Sequence, residues 1–552
     1  MKIEKTDLIF LPLGGSSEIG MNSNLYHYND SWIMVDLGIS FADESLPGVD
    51  VLLPDINFII ERRDKLQGIF LTHGHEDHMG AIQYIWDKLR VPIYGSPFTI
   101  ALLKKKLKES GLLNNVKLNI IDENKTVNIG PFKVKPVRLT HSIPDPLSLS
   151  ISTSVGTIFH TGDWKFDNNP QVGSKPNFEE IKSIGKKGVL AIIGDSTNSM
   201  VEGKTESERD ALKGINSVIK KATGRVIVTC FASNLSRIKS IMKASVENKR
   251  KVFLAGRSLN RVVEAAREVG YFIDELENFS LKSIDQYRHE EVVVIAAGSQ
   301  GENRSTMTRI ANSQHDQVKI KPGDTAIFSS SKIPGNELAI NRVHDALLKK
   351  GVKVVTDEDE LVHVSGHPSK EDIKKLYGLI NPQISVPVHG TARHIQEHSN
   401  LANSCGVPLS IQPENGSIIK LSGNSPSIIG QIPIKSLVPD GNQIIKSDSS
   451  IFSTRRRLLW NGVISAVIVL DEELNLQLPI KISQNGIAEG NNELEWSSEV
   501  KTDIEETIES LTKKQLSDDM KVEDMVRSSI RTVTKIFFNI KPIINVHILR
   551  VF

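Results

Sequence analysis

Residues 71–80 read LTHGHEDHMG, and the spacing H-x-H-x-D-H crowds His73, His75, Asp77 and His78 into six positions. Imidazole nitrogen and carboxylate oxygen are donors that zinc favours, and a catalytic zinc keeps one position open for water. The pattern is not the helical H-E-x-x-H of zinc proteases, because His75 and His78 stand one step too close. On a loop, His73 and His75 can face one way while Asp77 and His78 face another, so the stretch can serve two metals at once. Clustered histidines gain nothing structurally and repel one another once protonated, which argues against a purely structural role.

Two metals need further donors, and the chain offers His141 in LTHSIPD, Asp163 in FHTGDWKFD and His389 in VPVHGTARH. Each of these, taken alone, also fits a hydrogen-bonded turn. A pair of divalent ions lowers the pKa of bound water to about 7 and neutralises charge growing on phosphoryl oxygens during in-line attack. A leaving 3′-oxygen then needs a proton, for which His367 in VSGHP is the candidate donor. Its plainer reading is a turn residue before a helix opened by Pro368-Ser369-Lys370-Glu371. Asp195 could orient that acid or the water, or cap the turn Ser196-Thr197-Asn198. The catalytic candidates are thus Asp77, Asp195 and His367.

Such donors have to be carried on strand ends. Short β-branched runs alternate with helical patterns, which argues for an α/β architecture. Strands are expected at residues 32–35, 189–193, 225–229, 292–295 and 325–328. Polar residues follow each one: Asp36, Asp195, Ser233-Asn234, Gly298-Ser299-Gln300 and Ser329-Ser330-Ser331. Open α/β sheets bind ligands at such places. The GGSSEIG stretch lacks GK[ST] and is no P-loop, so its glycines are expected to form a tight turn beneath the metals.

At 552 residues the chain is too long for one core, and about three domains are expected. Its composition, 39% hydrophobic and 24% charged, is that of a globular protein. A net charge of +1 leaves any basic surface to be local. Two cysteines, Cys230 and Cys405, exclude a disulfide framework and fit a reducing cytosol. The start MKIEKTDLIFLPLGG carries no recognisable secretory signal, and the longest apolar run, Val463–Leu470, is too short for a bilayer.

THxHxDH is the hallmark of the metallo-β-lactamase superfamily, which the chain resembles: GGSSEIGMN, VDLG, THGHEDHMGA, THSIPD and HTGDWKFD occur in that family's order. DSTNS, FASN, AGRS, GSQGE, IPGNE, VSGHP and PVHG narrow the resemblance to the β-CASP nuclease branch, and within it to the bacterial ribonuclease J family, over essentially the whole chain. The resemblance implies an α/β fold: an αββα sandwich, an inserted α/β β-CASP domain and a small C-terminal α+β domain. It assigns one zinc to His73, His75 and His141 and another to Asp77, His78 and His389, with Asp163 bridging both. Asp36 would steady the ligand loop from a neighbouring strand end. The stretch His363, Val364, Ser365, Gly366 and His367 would line the substrate site, with Ser233, Asn234 and Ser236 in the groove. Manganese or magnesium could substitute for zinc, and relatives can carry an accessory calcium for which no residue is assigned. Ser236, Pro368, Thr391 and Asn303 depart from the family's usual histidine, glycine, glutamate and proline, and none is a metal ligand.

Six of the seven ligands fall between residues 73 and 163 and the last at 389, so the intervening chain is expected as an insertion. The expected layout is a metal domain over 1–204 and 361–430, the β-CASP insertion over 205–360, a linker over 431–455 and a C-terminal α+β domain over 456–552. In that last part residues 497–538 are expected to be helical, followed by a strand over 543–551. The expected function is a cytoplasmic dizinc ribonuclease with 5′-to-3′ exonuclease activity, preferring 5′-monophosphate RNA, and endonuclease activity, in mRNA decay and rRNA maturation. Implied partners are single-stranded RNA, further copies in a homodimer or homotetramer, and other RNA-decay proteins, with no membrane. The rival readings are a β-CASP nuclease acting on DNA, a small-ester or thioester hydrolase, and an inactive RNA-binding subunit.

Overall fold

Successive side chains in the central strands enter two different apolar cores. Ile158, Ala191 and Ile193 point into one cluster, whereas their neighbours Phe159 and Ile192 point into another. A sheet covered on both faces requires that two-residue period. The computed structural model describes residues 3–43, 45–272, 279–333, 335–423 and 425–551. Pro334 of the IPGNE motif lies outside them.

The first cluster fills the space between two sheets, with Phe10, Tyr26, Ile33 and Phe70 on one side and Val134, Leu149, Ile193 and Val386 on the other. One sheet has eight strands, in the order Ser427–Gln431, Ser417–Lys420, Ile9–Gly14, Ser23–Tyr28, Ser31–Val35, Leu66–Phe70, Ile93–Gly95 and Leu118–Ile120. The other has seven, in the order Leu409–Ser410, Pro382–Val388, Val189–Asp195, Gly156–His160, Leu147–Thr153, Phe132–Arg138 and Val127–Ile129. Helices Phe178–Lys187, Lys370–Ile380 and Ala392–Ser404 cover the second sheet through Ile181, Ile184, Leu376 and Leu401. Helix Pro97–Glu109 packs on the first sheet at Ile93–Gly95 and Leu118–Ile120. The layers are those of an αββα sandwich.

Val189–Asp195 pairs in parallel with Pro382–Val388, Asp195 standing opposite Val388. The chain therefore leaves the sheet after Asp195 and returns to the adjacent place. Between these points it builds a separate five-stranded parallel sheet, ordered Lys251–Ala255, Val292–Ala296, Val226–Thr229, Thr325–Phe328 and Lys353–Val355. Its core holds Ile227, Phe253, Val294, Ala326 and Leu347.

The chain forms two compact units, Met1–Ser40 with Leu53–Ser436, and Phe41–Leu52 with Leu437–Phe552. Within the second, Val463–Leu470 lies between Leu476–Asn485 and Ile543–Arg550. Ile464, Ala466 and Ile468 pack there against Trp496, Val500, Ile504, Val526 and Ile530 from two helices. The helical stretch expected over 497–538 is two long helices, Asn491–Glu509 and Asp519–Phe538, with a short turn of helix at Lys513–Leu516 between them. Thr512 and Gln515 form a capping box that starts the short helix and separates the long ones. Residues 437–446, inside the stretch expected as linker, form a hairpin, and the helix Ser450–Asn461 follows. Among the described residues, no helix is long and apolar enough to cross a membrane.

Candidate metal centre

Five strands deliver their last residues to one edge of the sandwich. Asp36 follows Ser31–Val35, His73 follows Leu66–Phe70, Asp163 follows Gly156–His160, Asp195 ends its own strand and His389 follows Pro382–Val388. His75 caps the short helix Glu76–Met79, which carries Asp77 and His78. Close backbone approaches set this loop: a Cβ on Gly38 would lie 1.7 Å from Asp77 O, so only glycine fits. In the GGSSEIG turn, Gly15 adopts φ +81° and its carbonyl accepts the His389 amide at 2.6 Å, seating that turn directly under the cluster.

Seven side chains converge in two overlapping groups. His73, His75, His141 and Asp163 form one, and Asp77, His78, His389 and Asp163 the other. In the first, His75 Nδ1 lies 3.0 Å from His73 Nε2 and 3.1 Å from His141 Nε2. Nitrogens about 2 Å from a tetrahedral zinc stand roughly 3.3 Å apart, so this spacing suits a single ion. In the second, His389 Nε2 is 3.3 Å and His78 Nε2 3.5 Å from Asp77 Oδ2. Asp163 belongs to both groups: its Oδ2 is 3.2 Å from His78 Nε2 and 3.8 Å from both His73 Nε2 and His141 Nε2.

Hydrogen bonds on the far side of the rings aim them inward. His78 Nδ1 donates to Asp36 Oδ2 at 2.8 Å, and Asp36 also accepts from the Thr72 amide and hydroxyl, each at 2.8 Å. His141 Nδ1 donates to Gly366 O at 2.6 Å. Such partners fix the tautomer and leave Nε2 as the donor atom for a metal.

Electrostatics divide the cluster. Burial pushes the His73 and His141 imidazoles well below the usual histidine value, with neighbouring imidazoles adding to the effect, and lowers His75 to about 4. These three are neutral at pH 7 with lone pairs available. For His78 and His389 burial again opposes charge, but Asp163 and the other carboxylates outweigh it. His78 is held well above its usual value and His389 is raised to about 10. Asp77 and Asp163 stay ionised for the reciprocal reason: burial resists charge, yet the imidazoles of His78 and His389 prevail. Protons and metal ions compete for this half of the site.

A third group joins the edge, Asp163, Asp195, His367 and His389. His367 is half-buried, and its Nδ1 lies 2.8 Å from Asp195 Oδ2 and 3.9 Å from Asp163 Oδ2. Burial would lower its pKa, but Asp195 foremost and then Asp163 raise it above the usual value. Asp195 Oδ1 accepts from the Thr197 amide at 2.9 Å and hydroxyl at 2.7 Å, so one carboxylate both holds the turn and orients the imidazole.

The other expected residues are placed unevenly. Ser365 Oγ accepts from Asn198 Nδ2 at 2.8 Å, and Gly366 sits so close to His141 that a Cβ would meet its ring at 2.6 Å. Val364 is buried, and His363 Nδ1 lies 3.0 Å from Arg237 Nη1. Asn234 caps helix Leu235–Glu247 by accepting from the Arg237 amide, Ser236 is buried with its amide 3.4 Å from Ser142 O, and Ser233 is half-exposed. Thr72, Thr197, Asn198, Lys165 and Arg237, which the motifs did not single out, all hold members of the site. Four of them, all but Arg237, stand inside quoted motifs, so position beside a ligand was the available signal.

A two-sheet sandwich with this cluster at its strand ends defines a metallo-β-lactamase fold, and residues 20–211 match the family described as "Metallo-beta-lactamase superfamily". Residues 351–410 match "Zn-dependent metallo-hydrolase RNA specificity domain", 223–347 "Ribonuclease J, beta-CASP domain" and 451–551 "Ribonuclease J C-terminal domain". The chain is 38% identical over 550 residues to "Ribonuclease J" of Sinorhizobium meliloti, covering 99% of this chain and 98% of that protein. It is 36% identical over 477 residues to "Ribonuclease J2" of Bacillus subtilis, covering 86% of each. The chain belongs to the ribonuclease J family. A crystal structure titled as a protein of unknown function from Enterococcus faecalis V583 shares the fold, with a TM-score of 0.52 at 19% identity, over 75% of this chain and 100% of that one.

Proposed function

We propose that this chain, a metal-dependent ribonuclease by its family, holds two zinc ions and degrades RNA from 5′-monophosphate ends, with internal cleavage as a second activity. The observation that carries the reading is Asp163, whose Oδ2 is shared by a three-histidine group and by the Asp77/His78/His389 group. His73, His75 and His141 would hold one ion, Asp77, His78 and His389 the other, and Asp163 would bridge them. Ions bound there supply an activated water and neutralise phosphoryl charge. Manganese or magnesium would serve in place of zinc.

The chain's own groups do the rest. Asp195 holds His367 with Nδ1 towards the carboxylate, so the other ring nitrogen is free to hand a proton to the departing 3′-oxygen. Ser233, Ser365 and Gly366 offer hydroxyl and backbone groups to a 5′-phosphate, while Asn234 and Ser236 shape the wall behind them. Roles in mRNA decay and rRNA maturation, a cytoplasmic location, assembly as a homodimer or homotetramer, and association with other decay proteins rest on family membership. The test is incubation of zinc- or manganese-loaded protein with end-labelled RNA and matched DNA. Mononucleotides released from RNA are expected, and equal cleavage of DNA would replace this reading with a general β-CASP nuclease.

A further inference from the structure

The carbonyls just before His367 are held in an unusual way. Residues 356–369 contain neither helix nor strand, so their buried carbonyls must find donors elsewhere. Arg237 donates to Val362 O at 3.1 Å and to Val364 O at 3.3 Å. Lys165 Nζ donates to Ser365 O at 3.0 Å, and His141 to Gly366 O at 2.6 Å. Arg237 and Lys165 are both completely buried. Arg237 belongs to helix Leu235–Glu247 of the inserted domain, whereas Lys165 stands two residues beyond Asp163.

We propose that Arg237 and Lys165 are positioning residues, which hold residues 362–366 by their carbonyls at the place where His367 meets Asp195 and the His/Asp cluster. The proposal rests on the reading of His367 as proton donor.

Two carboxylates balance the two cations. Glu208 accepts from Arg237 at 3.2 Å and lies 3.6 Å from Lys165 Nζ, and Asp167 lies 3.8 Å from the same nitrogen. Stability alone is a weak reason to keep four buried charges, since apolar packing of similar volume often serves as well or better. Geometry is a stronger one. The guanidinium fork spans Glu208, Ser329 and alternate carbonyls of one irregular segment, which the point charge of an ammonium cannot do. The segment is thus tied at one end to the inserted domain and at the other to a chain stretch that carries Asp163. Displacing a reacting group by about 1 Å can cost on the order of 10²-fold in rate.

The experiment compares the full-length, metal-loaded protein with Arg237→Lys, Lys165→Met and His367→Ala on two substrates. One is a short 5′-monophosphate RNA, and the other is bis(p-nitrophenyl) phosphate, whose leaving group departs without a donated proton. Arg237→Lys keeps a charge opposite Glu208 and guards against misfolding. Hydrogen exchange of the amides of residues 361–367 reports directly on the tether. We expect Arg237→Lys and Lys165→Met to keep the metal content of the parent and to exchange faster over that segment. On RNA, kcat should fall roughly 10²-fold with KM little changed, while the activated diester loses far less. If His367→Ala shows that leaving-group dependence and the other two variants do not, the positioning proposal is overturned by itself. If His367→Ala affects both substrates alike, the proton-donor reading fails, and unchanged exchange over 361–367 in Arg237→Lys would defeat the tether whatever the kinetics.

Discussion

Asp195 grips His367 from one oxygen, at 2.8 Å, while its other oxygen is fixed by both donors of Thr197. A carboxylate held at both oxygens cannot swing, so the imidazole it orients is held with it. That arrangement is what a proton donor needs and more than a turn residue requires.

His367→Ala should therefore keep both metals and lose roughly 10²–10⁴ in kcat on RNA. Metal analysis and single-turnover cleavage on the same preparation decide it. Loss of metal would make His367 a ligand, and an unchanged rate would return it to a turn residue.

Asp163 is the one carboxylate common to all three groups of donors. Asp163→Asn should leave fewer than two ions per chain, and His75→Ala should lose one. A full pair of ions in purified Asp163→Asn would sink the two-ion assignment.

Metal uptake should depend on pH through one half of the site. His389 is raised to about 10 and His78 also lies above its usual value, so binding there displaces protons at neutrality. Affinity for that ion should fall as pH drops from about 9 to 6. His75 is lowered to about 4, and His73 and His141 are likewise lowered, so the ion they hold should bind evenly above about pH 5. The sign for the metal-free fold is the opposite. The raised pKa of His389 contributes stability that is complete below about 6.5 and is lost as pH climbs through about 10. Calorimetric titration in buffers of different ionisation heat would expose the proton release, and its absence would refute the competition.

A 5′-monophosphate is expected to speed exonucleolytic decay relative to a 5′-triphosphate. Ser233→Ala with Ser365→Ala should weaken that preference and spare internal cleavage. Ser365 Oγ accepts from Asn198 and from the His367 amide at 3.2 Å, which leaves its own proton to donate. Equal rates on both RNA ends in the parent protein would remove the pocket and leave the nuclease intact.

What the sequence made readable followed from covalent neighbourhood. His73, His75, Asp77 and His78 lie together in the chain, and the polar residues after 32–35 and 189–193 announce strand ends. The Asn234 amide and hydroxyl-rich FASN stretch suggested a groove, yet Asn234 also caps a helix, a role visible in its place before Leu235. Arg237 was silent because its partners Val362 and Val364 are more than a hundred residues away and are backbone atoms. Two further local signals stand in the sequence. Thr512-x-x-Gln515 is a capping box, and Gly441-Asn442 is a two-residue hairpin turn that leaves Asp440 paired with Gln443.

The parallel pairing of Val189–Asp195 with Pro382–Val388 has a consequence in time. A chain emerging from the ribosome exposes His73, His75, Asp77, His78, His141 and Asp163 early, but His389 only after the whole inserted domain has been made. Domains fold in order of synthesis, N-terminal first. A chain stopped between residues 163 and 382 carries six of the seven donors but neither the neighbouring strand nor its last histidine. The donor set is in this way kept incomplete until the inserted domain and the strand that follows it have been made.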